Sequence, residues 1–367
     1  MLDVVIVGGG IIGCSTAYYL AREGVDVTVL ERAEVSSEAS GAAAGMLAAL
    51  SDEGERPPIF TRLCDESLKL FDTLLPALAE TGIDVYHRRT DILHVAVTQS
   101  EADETEALYQ RRRATTPVRW LDGAEARRLE PHASPRTVAA MLTPGAQYAD
   151  PRRLTQAIGE AARRAGATMR EHEPVTRFLR RGDRIAGVCT TRGVYEGTTT
   201  LLASGPWTLA LAKRLGAEIP VRPVRGQMLS LEGPSPEGLS HMIWGAHAYL
   251  IPREDGQTYV GATLEDVGYR NHTTAGGLHG LRAGAAAVVP SLAQAKQRRA
   301  WAGLRPGTPD DMPIMGRLPG WSNAWVSTGH YRNGILLAPI AGQLMARSII
   351  AGRPDAMLSQ LSPTRFE

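Results

Sequence analysis

"LDVVIVGGGIIGCSTAYYLAREGVDVTVLER" (residues 2–32) contains a complete strand–turn–helix–strand pattern. Residues 4–7 form a short, continuous run of branched apolar residues, which is typical of a buried parallel strand. Three glycines (8–10) end that run, and a helical pattern follows until Gly24. Residues 25–30 then predict a second strand, which ends at Glu31. This order predicts the first βαβ unit of an α/β domain with a parallel sheet.

The glycines of this turn have the spacing of a dinucleotide-binding fingerprint. Gly8, Gly10 and Gly13 fit G-x-G-x-x-G between a predicted strand and a predicted helix. The helix N-terminus offers N–H groups and a positive dipole end to phosphates. Glu31 is placed to accept hydrogen bonds from a ribose diol, and an acid there disfavours a 2′-phosphate. We therefore predict adenine-dinucleotide binding; the alternative is an ordinary glycine-rich turn.

The next segment, "SSEASGAAAGMLAAL" (36–50), is rich in small residues. Small residues allow the backbone to run close to a flat ligand. A flexible linker is the alternative, but the apolar part of this segment predicts that it packs against something.

Composition limits the function classes. The 367 residues suggest two domains, and 43 % hydrophobic with 22 % charged residues is ordinary for a globular chain. The net charge of +1 disfavours nucleic-acid binding. Cys14, Cys64 and Cys189 are scattered and odd in number, which disfavours disulfides and cysteine metal sites. We find no signal-peptide pattern and no apolar run of about 18 residues, so we expect a cytoplasmic location and no membrane span.

Further along the chain, patterns predict helices over 62–82, 101–113, 122–130 and 151–167, and a strand over 85–97. Residues 185–205 predict a hairpin whose second strand ends at Ser204 and Gly205. Three strand-like runs (226–232, 246–253 and 257–263) predict an antiparallel sheet, with His247, Tyr249 and Ile251 on one face. Residues 325–350 predict a strand, a turn at Gly329 and a helix from about Gly334.

"RRAWAGLRPGTPDD" (298–311) places Arg305 among glycine, leucine and proline. A guanidinium in such surroundings needs a partner. We expect that partner to come from outside the protein; an internal salt bridge to Asp310 or Asp311 is the alternative.

Four motifs together resemble the D-amino-acid-oxidase family of flavoproteins, and within it the glycine oxidase branch of the thiamine-biosynthesis type. They are the N-terminal fingerprint, "SGAAAGMLA", "WAGLRPGT" and "GHYRNGILLAP", and they span nearly the whole chain. The resemblance implies an α/β fold in which a Rossmann-like FAD-binding domain is interleaved with an antiparallel-sheet substrate domain, as in D-amino-acid oxidase and p-hydroxybenzoate hydroxylase. The implied FAD-binding parts are 1–84, 145–225 and 298–367, and the implied substrate-binding parts are 85–144 and 226–297.

The resemblance also implies the cofactor-binding residues. These are Gly8, Gly10, Ile11, Ile12, Gly13, Glu31, Arg32, Ala39, Ser40, Ala44, Gly45, Met46, Val175, Ser204, Gly205, His330, Tyr331, Arg332, Asn333, Gly334, Ile335 and Leu336. The run 330–336 opens a helix whose N-terminus would face the flavin pyrimidine. An ordinary glycine-opened core helix is the alternative.

For the substrate, the resemblance implies that Arg305 binds a carboxylate and that Tyr249 supplies a second contact. Arg332 would face the substrate region, although a structural role near the flavin is equally open. Leu264 falls where the glycine oxidase branch carries a bulky pocket residue, and with Met46 it would restrict the substrate to small amines. We do not assign His247 as a base.

The implied reaction is the FAD-dependent oxidative deamination of glycine, sarcosine, D-alanine or D-proline. Hydride passes to flavin N5, water releases an oxo acid and ammonia or an amine, and oxygen gives hydrogen peroxide. Catalysis rests on orientation, with no metal and no protein base. The FAD is expected to be noncovalent, because 309–320 has no cysteine. Relatives suggest a tetramer. Alternatives are a D-amino-acid dehydrogenase that reduces a quinone or protein acceptor, and a flavin-bearing binding protein without turnover.

Overall fold

The structure is a computed structural model that describes residues 3–48, 57–234 and 238–367. Its strands are β1 (Asp3–Val7), β2 (Asp26–Leu30), β3 (Met46–Leu47), β4 (Arg88–Ala96), β5 (Arg119–Asp122), β6 (Ala139–Tyr148), β7 (Thr168–Arg170), β8 (Arg177–Arg181), β9 (Arg184–Cys189), β10 (Val194–Glu196), β11 (Thr199–Leu202), β12 (Arg222–Glu232), β13 (Met242–Trp244), β14 (Tyr249–Pro252), β15 (Gln257–Gly261), β16 (Gln297–Gly307), β17 (Ile314–Arg317) and β18 (Ala324–Thr328). Its α-helices are α1 (Ile11–Arg22), α2 (Ala39–Ala42), α3 (Pro58–Ala79), α4 (Gln99–Arg112), α5 (Gly123–Leu129), α6 (Pro151–Arg164), α7 (Thr208–Lys213), α8 (Ala275–Val288) and α9 (Gly334–Ala351).

The chain forms two compact units, each built from separate stretches. The first contains residues 1–85, 150–224 and 304–367, and the second contains 86–149 and 225–303. Two of the four boundaries fall before β4 and between β6 and α6, and the other two fall near the start of β12 and near the end of β16.

The first unit is built on a sheet with the strand order β17-β18-β11-β1-β2-β7. Strands β18, β11, β1, β2 and β7 pair in parallel, while β17 runs antiparallel to β18. Helix α1 packs against α6 and α9, and the contact with α9 is close because Gly342 lies against the backbone of Ser15. The predicted βαβ unit is therefore present within a mostly parallel sheet.

One expectation for this unit is wrong. Residues 185–205 form a hairpin only as far as β10, which pairs with β9 in a small separate sheet, β10-β9-β8. The chain then passes Gly197, where a Cβ would lie 2.9 Å from Val5, and enters the parallel sheet as β11. The physical reason is burial: all four residues of β11 are buried, whereas β10 is largely exposed.

The second unit contains a larger sheet in which β16, β12, β15, β14, β13, β4 and β6 are successive neighbours, with β5 paired to β6. The pairs β12–β15 and β15–β14 are antiparallel as predicted. Strand β13, which was not predicted, pairs antiparallel with β14 and parallel with β4, so the sheet is mixed. One face packs an apolar core that includes Leu93, Leu250 and Leu281. His247 precedes β14 and is exposed, so the predicted shared strand face is wrong for this residue.

Residues Tyr331–Ala351 are long and apolar enough to cross a membrane by length and composition, which the sequence reading missed. However, 72 % of the most apolar window is buried inside the fold. Such burial is typical of a core helix, and a helix in a large hydrophobic core can be as long and as apolar as one that crosses a membrane.

Candidate functional site

The glycine turn after β1 has close contacts that only glycine allows. Gly8 has a φ of +118°, and a Cβ there would lie 2.5 Å from the carbonyl oxygen of Ala203. A Cβ on Gly13 would overlap the carbonyl oxygen of Gly8. The turn therefore brings β1, α1 and the end of β11 together without side chains, as the fingerprint predicts.

Helix α1 presents backbone donors at this turn. Its first N–H, on Ile11, donates to Ser40 Oγ at 2.9 Å, while the N–H groups of Ile12 and Gly13 have no acceptor among the described residues. Because the Ser40 oxygen already accepts this bond, its hydroxyl proton can be donated to an anion. Two backbone donors, one hydroxyl and the positive end of the helix dipole are the groups that bind a pyrophosphate.

Glu31 is buried beside the turn, with 8 % of its surface exposed. Its Oε2 accepts the N–H of Gly9 at 2.7 Å and its Oε1 accepts the N–H of Ala33 at 2.9 Å. A carboxylate has about four acceptor positions, so two remain for a ribose diol. The next residue, Arg32, forms an ion pair with Glu38, and its guanidinium lies 3.8 Å from the ring centroid of Trp207.

The small-residue segment after β2 is packed rather than a flexible linker. It forms α2, passes Gly45 with a φ of +87° and continues into β3. Ala44 and Leu47 are buried, whereas Ala39 and Met46 are half-buried. Residues 49–50 at the end of the predicted segment lie outside the described residues.

Three further predicted cofactor residues lie at the carboxyl end of the parallel sheet. Val175 is half-buried, and its backbone N–H and C=O form no hydrogen bond among the described residues. The Ser204–Gly205 corner follows β11; Ser204 Oγ lies 3.2 Å from Thr208 Oγ1, and the carbonyl of Gly205 accepts the hydroxyl of Thr328 at 2.9 Å. Ligands of open α/β sheets bind at this edge.

The run 330–336 begins α9 as predicted. Gly329 turns the chain with a φ of +74°, a 3-10 turn covers Tyr331–Asn333, and α9 begins at Gly334. His330 is 3 % exposed, and its Nε2 has no hydrogen-bond partner among the described residues. Burial lowers the pKa of His330 to about 3, so the imidazole is neutral at physiological pH. Ile335 and Leu336 are also buried.

These observations test whether the chain fits an FAD. The unpaired N–H groups of α1 suit the pyrophosphate, the remaining acceptor positions of Glu31 suit a ribose, and the unpaired backbone of Val175 suits a purine edge. The buried, unpartnered Nε2 of His330 is a further polar group that a ligand can satisfy. The residues present therefore fit the dinucleotide.

Arg305 lies near the end of β16 and is half-buried. Burial raises the pKa of the Tyr331 hydroxyl and the charge of Asp311 adds to the rise, whereas the charges of Arg305, Arg332 and Arg222 oppose it. Arg305 therefore acts electrostatically on a residue of the predicted flavin-contacting run. Arg332 is exposed.

The alternative for Arg305 was a salt bridge to Asp310 or Asp311. Asp310 binds Arg365 through two bonds, Nε–Oδ2 at 2.8 Å and Nη2–Oδ1 at 3.1 Å. Both oxygens of Asp310 are thus engaged by a different arginine.

In the second unit, Tyr249 belongs to a cross-strand row. His94, Trp244, Tyr249 and Gly261 are successive partners across β4, β13, β14 and β15. The Trp244 and Tyr249 rings are 5.1 Å apart, and a Cβ on Gly261 would lie 2.5 Å from the Tyr249 hydroxyl. The sequence reading missed Trp244 and His94, because strand spacing does not reveal which strands are neighbours. Leu264, the predicted pocket residue, is 59 % exposed in this structure.

Among the described residues, no group of three or more His, Cys, Asp or Glu side chains could hold a metal ion.

Comparisons with known proteins identify the family of this chain. The family model "FAD dependent oxidoreductase" (DAO) matches residues 3–348. Glycine oxidase of Pseudomonas aeruginosa is 37 % identical over 95 % of both chains. The bifunctional protein ThiO/ThiG of Trichormus variabilis is 33 % identical over 100 % of this chain and 55 % of its own length. The crystal structure of glycine oxidase from Geobacillus kaustophilus superimposes with a TM-score of 0.91 at 33 % identity, over 100 % of this chain and 99 % of that one.

The matches confirm the predicted fold class and the resemblance on which it rested. The chain belongs to the FAD-dependent oxidoreductases of the D-amino-acid-oxidase family and, within them, to the glycine oxidase family.

Proposed function

We propose that this enzyme oxidises glycine and small amines such as sarcosine, D-alanine and D-proline to an oxo acid, ammonia or an amine, and hydrogen peroxide. The observation that carries the proposal is the placement of Arg305, whose charge acts on Tyr331 in the run that opens α9. A guanidinium binds a carboxylate through a planar pair of charge-assisted hydrogen bonds. An amino acid held there would lie beside the cofactor segment.

FAD would be held by the α1 turn, Glu31, Ser40, Val175 and residues 330–336, and when bound it supplies a two-electron acceptor for the substrate. Arg305 binds the substrate carboxylate and fixes its orientation, which is the main catalytic contribution of the chain. Tyr249 is the proposed second carboxylate contact, and Leu264 and Met46 are proposed to limit side-chain size. Arg332 is exposed and is proposed to face the substrate region.

The buried His330 stays neutral at physiological pH, so it adds no charge beside the run that opens α9. The N-terminus of α9 contributes the positive end of its dipole instead, which favours negative charge nearby.

We propose that the FAD is noncovalent. Cys14, Cys64 and Cys189 are buried, and burial raises the pKa of the Cys14 thiol to about 12. A buried, protonated thiol is a poor nucleophile for attachment to a flavin. The first unit is proposed to bind FAD and the second to bind substrate.

The experiment that tests the activity measures hydrogen peroxide formed per glycine consumed, with oxygen as sole acceptor. One peroxide per glycine supports an oxidase. Glycine consumption that requires an added quinone, without peroxide, would instead favour the dehydrogenase alternative.

A role in thiamine biosynthesis is proposed because a relative is named ThiO/ThiG. We further propose that the protein is a cytoplasmic homotetramer. It is proposed to have no nucleic-acid partner and no membrane span. Size-exclusion chromatography with light scattering tests the oligomeric state.

A further inference from the structure

The segment 172–176, between β7 and β8, runs beside Glu31 at the carboxyl edge of the parallel sheet. It is fixed at both ends: the N–H of Glu173 donates to the carbonyl of Glu31 at 2.8 Å, and the N–H of Thr176 donates to the carbonyl of Cys189 at 2.8 Å. Between these two bonds lie Pro174, which has no N–H, and Val175. Val175 alone among these positions therefore presents both a donor and an acceptor with no partner among the described residues.

Glu173 is the unusual residue of this segment, because its carboxylate is buried with 3 % of the residue exposed. Its Oε2 accepts the hydroxyl of Tyr195 at 2.6 Å and the hydroxyl of Thr190 at 3.1 Å. Tyr195 lies on β10 and Thr190 lies in the turn that joins β9 to β10. The hydrogen bond to Glu173, together with burial, raises the pKa of Tyr195, so the phenol remains a donor at neutral pH.

A buried carboxylate is costly unless its hydrogen bonds are satisfied. Here two hydroxyl groups of the β9–β10 hairpin donate to its Oε2, and these bonds hold the side chain in place. Glu173 lies two positions before Val175. Its side chain is hydrogen-bonded to the β9–β10 hairpin, and its backbone N–H is hydrogen-bonded to the carbonyl of Glu31.

We propose that Glu173, held by Tyr195 and Thr190, is a positioning residue that fixes the backbone of Val175 to read the adenine edge of FAD. This inference rests on the proposed FAD binding. An adenine offers an acceptor at N1 beside a donor at N6, which matches a neighbouring backbone N–H and C=O. Hypoxanthine offers the reverse order, a donor at N1 and an acceptor at O6, so a rigid Val175 rejects it.

The test uses the full-length chain after removal of flavin, with its circular dichroism compared with that of the holoprotein. The dissociation constants of three probes are measured by flavin fluorescence: FAD, the dinucleotide in which hypoxanthine replaces adenine, and FMN. The variants are Tyr195→Phe, which removes one hydroxyl and keeps the ring, and Glu173→Met, which keeps the length of the side chain and removes the oxygen that accepts both hydroxyls. Tyr109→Phe, the same deletion on α4 of the other unit, is the matched control.

Each deleted hydrogen bond is expected to weaken FAD binding roughly three- to tenfold, the range for a hydrogen bond to a charged or buried group. The preference for FAD over the hypoxanthine dinucleotide should shrink in both variants. FMN, which lacks the adenosine half, should bind as it does to the wild-type chain, and Tyr109→Phe should change nothing.

An equal loss of affinity for FAD and FMN would overturn the proposal, because it would show a general structural defect. An unchanged preference between the two dinucleotides would overturn it as well. Failure of the wild-type chain to bind FAD would reject the proposed function instead, so the two failures are distinguishable.

Discussion

The guanidinium of Arg365 binds both carboxylate oxygens of Asp310, with Nε–Oδ2 at 2.8 Å and Nη2–Oδ1 at 3.1 Å. The same arginine donates to the carbonyls of Met312, Leu361 and Ser362. Asp310, one of the two aspartates considered as an internal salt-bridge partner for Arg305, is thus bound by the C-terminal segment. The assignment of Arg305 to a ligand carboxylate stays a prediction.

Replacing Arg305 tests that assignment. In Arg305→Ala, kcat/KM for glycine should fall roughly 30- to 1000-fold, since loss of a charge-assisted pair costs about 2–4 kcal/mol. Most of the effect should be in KM, measured by steady-state peroxide formation. Arg298→Ala, which removes a more exposed ion pair with Glu232 on the same strand, is the control and should be near wild type. An unchanged KM in Arg305→Ala would remove this residue from the carboxylate site.

Glu31→Ala should weaken FAD retention by about tenfold or more, because the ribose loses its acceptor and the N–H groups of Gly9 and Ala33 lose theirs. Substrate preference among molecules that keep FAD should not change. The measurement is the FAD dissociation constant, followed by relative rates with glycine and D-alanine at saturating FAD. Glu196→Ala, an exposed position on β10, is the control. FAD binding equal to wild type would contradict the assignment of Glu31.

Two glycine-to-alanine changes in helices should act in opposite directions. Gly13→Ala on α1 should destabilise the chain by several kcal/mol, on the order of an overpacked core, because its Cβ would overlap the carbonyl of Gly8. Gly280→Ala on α8 meets nothing within 4 Å and should stabilise by about 0.5–1 kcal/mol. Thermal unfolding of both variants checks the pair. Equal melting temperatures of the two variants would contradict the close contact between Gly13 and the carbonyl of Gly8.

His94 should make stability depend on pH. Burial lowers its pKa to about 3, and the charge of Arg112 adds to the effect. Between about pH 6.5 and about pH 3, His94 is therefore protonated in the unfolded state but neutral in the folded state. The free energy of unfolding falls as the pH drops through this range, by up to ~1.4 kcal/mol per pH unit for one histidine. His94→Leu should flatten this slope between pH 6 and pH 5.

Urea unfolding at pH 6 and at pH 5 measures the free energy of unfolding of the wild-type chain and of His94→Leu at each pH. A wild-type slope in His94→Leu would show that His94 does not titrate in the unfolding transition.

The first βαβ unit could be predicted from sequence because its signals are local. Gly8, Gly13 and Glu31 lie within 30 residues of one another, and the two glycines make the close contacts that the fingerprint predicts, whereas the ribose role of Glu31 stays a prediction. The start of α9 after Gly329 was predictable for the same reason, since a glycine with positive φ ends the preceding strand.

Predictions that depended on distant partners were less successful. Residues 185–205 resemble one hairpin in sequence because β10 and β11 are both short and close together, and the burial of β11 against β1 distinguishes the two strands. His247 was placed on a strand face by alternation, although β14 begins at Tyr249. The row from His94 through Trp244 to Tyr249 depends on the parallel pairing of β4 with β13, which spans about 150 residues of chain and leaves no local pattern.

The central claim is that bound flavin takes electrons from glycine held by Arg305. Anaerobic mixing of the purified, FAD-loaded protein with glycine measures it most directly, by following the visible flavin absorbance. The account predicts rapid bleaching in the wild-type chain and bleaching in Arg305→Ala only at much higher glycine concentration. A flavin spectrum that no small amine bleaches, or an Arg305→Ala protein that bleaches at the wild-type concentration, would contradict it.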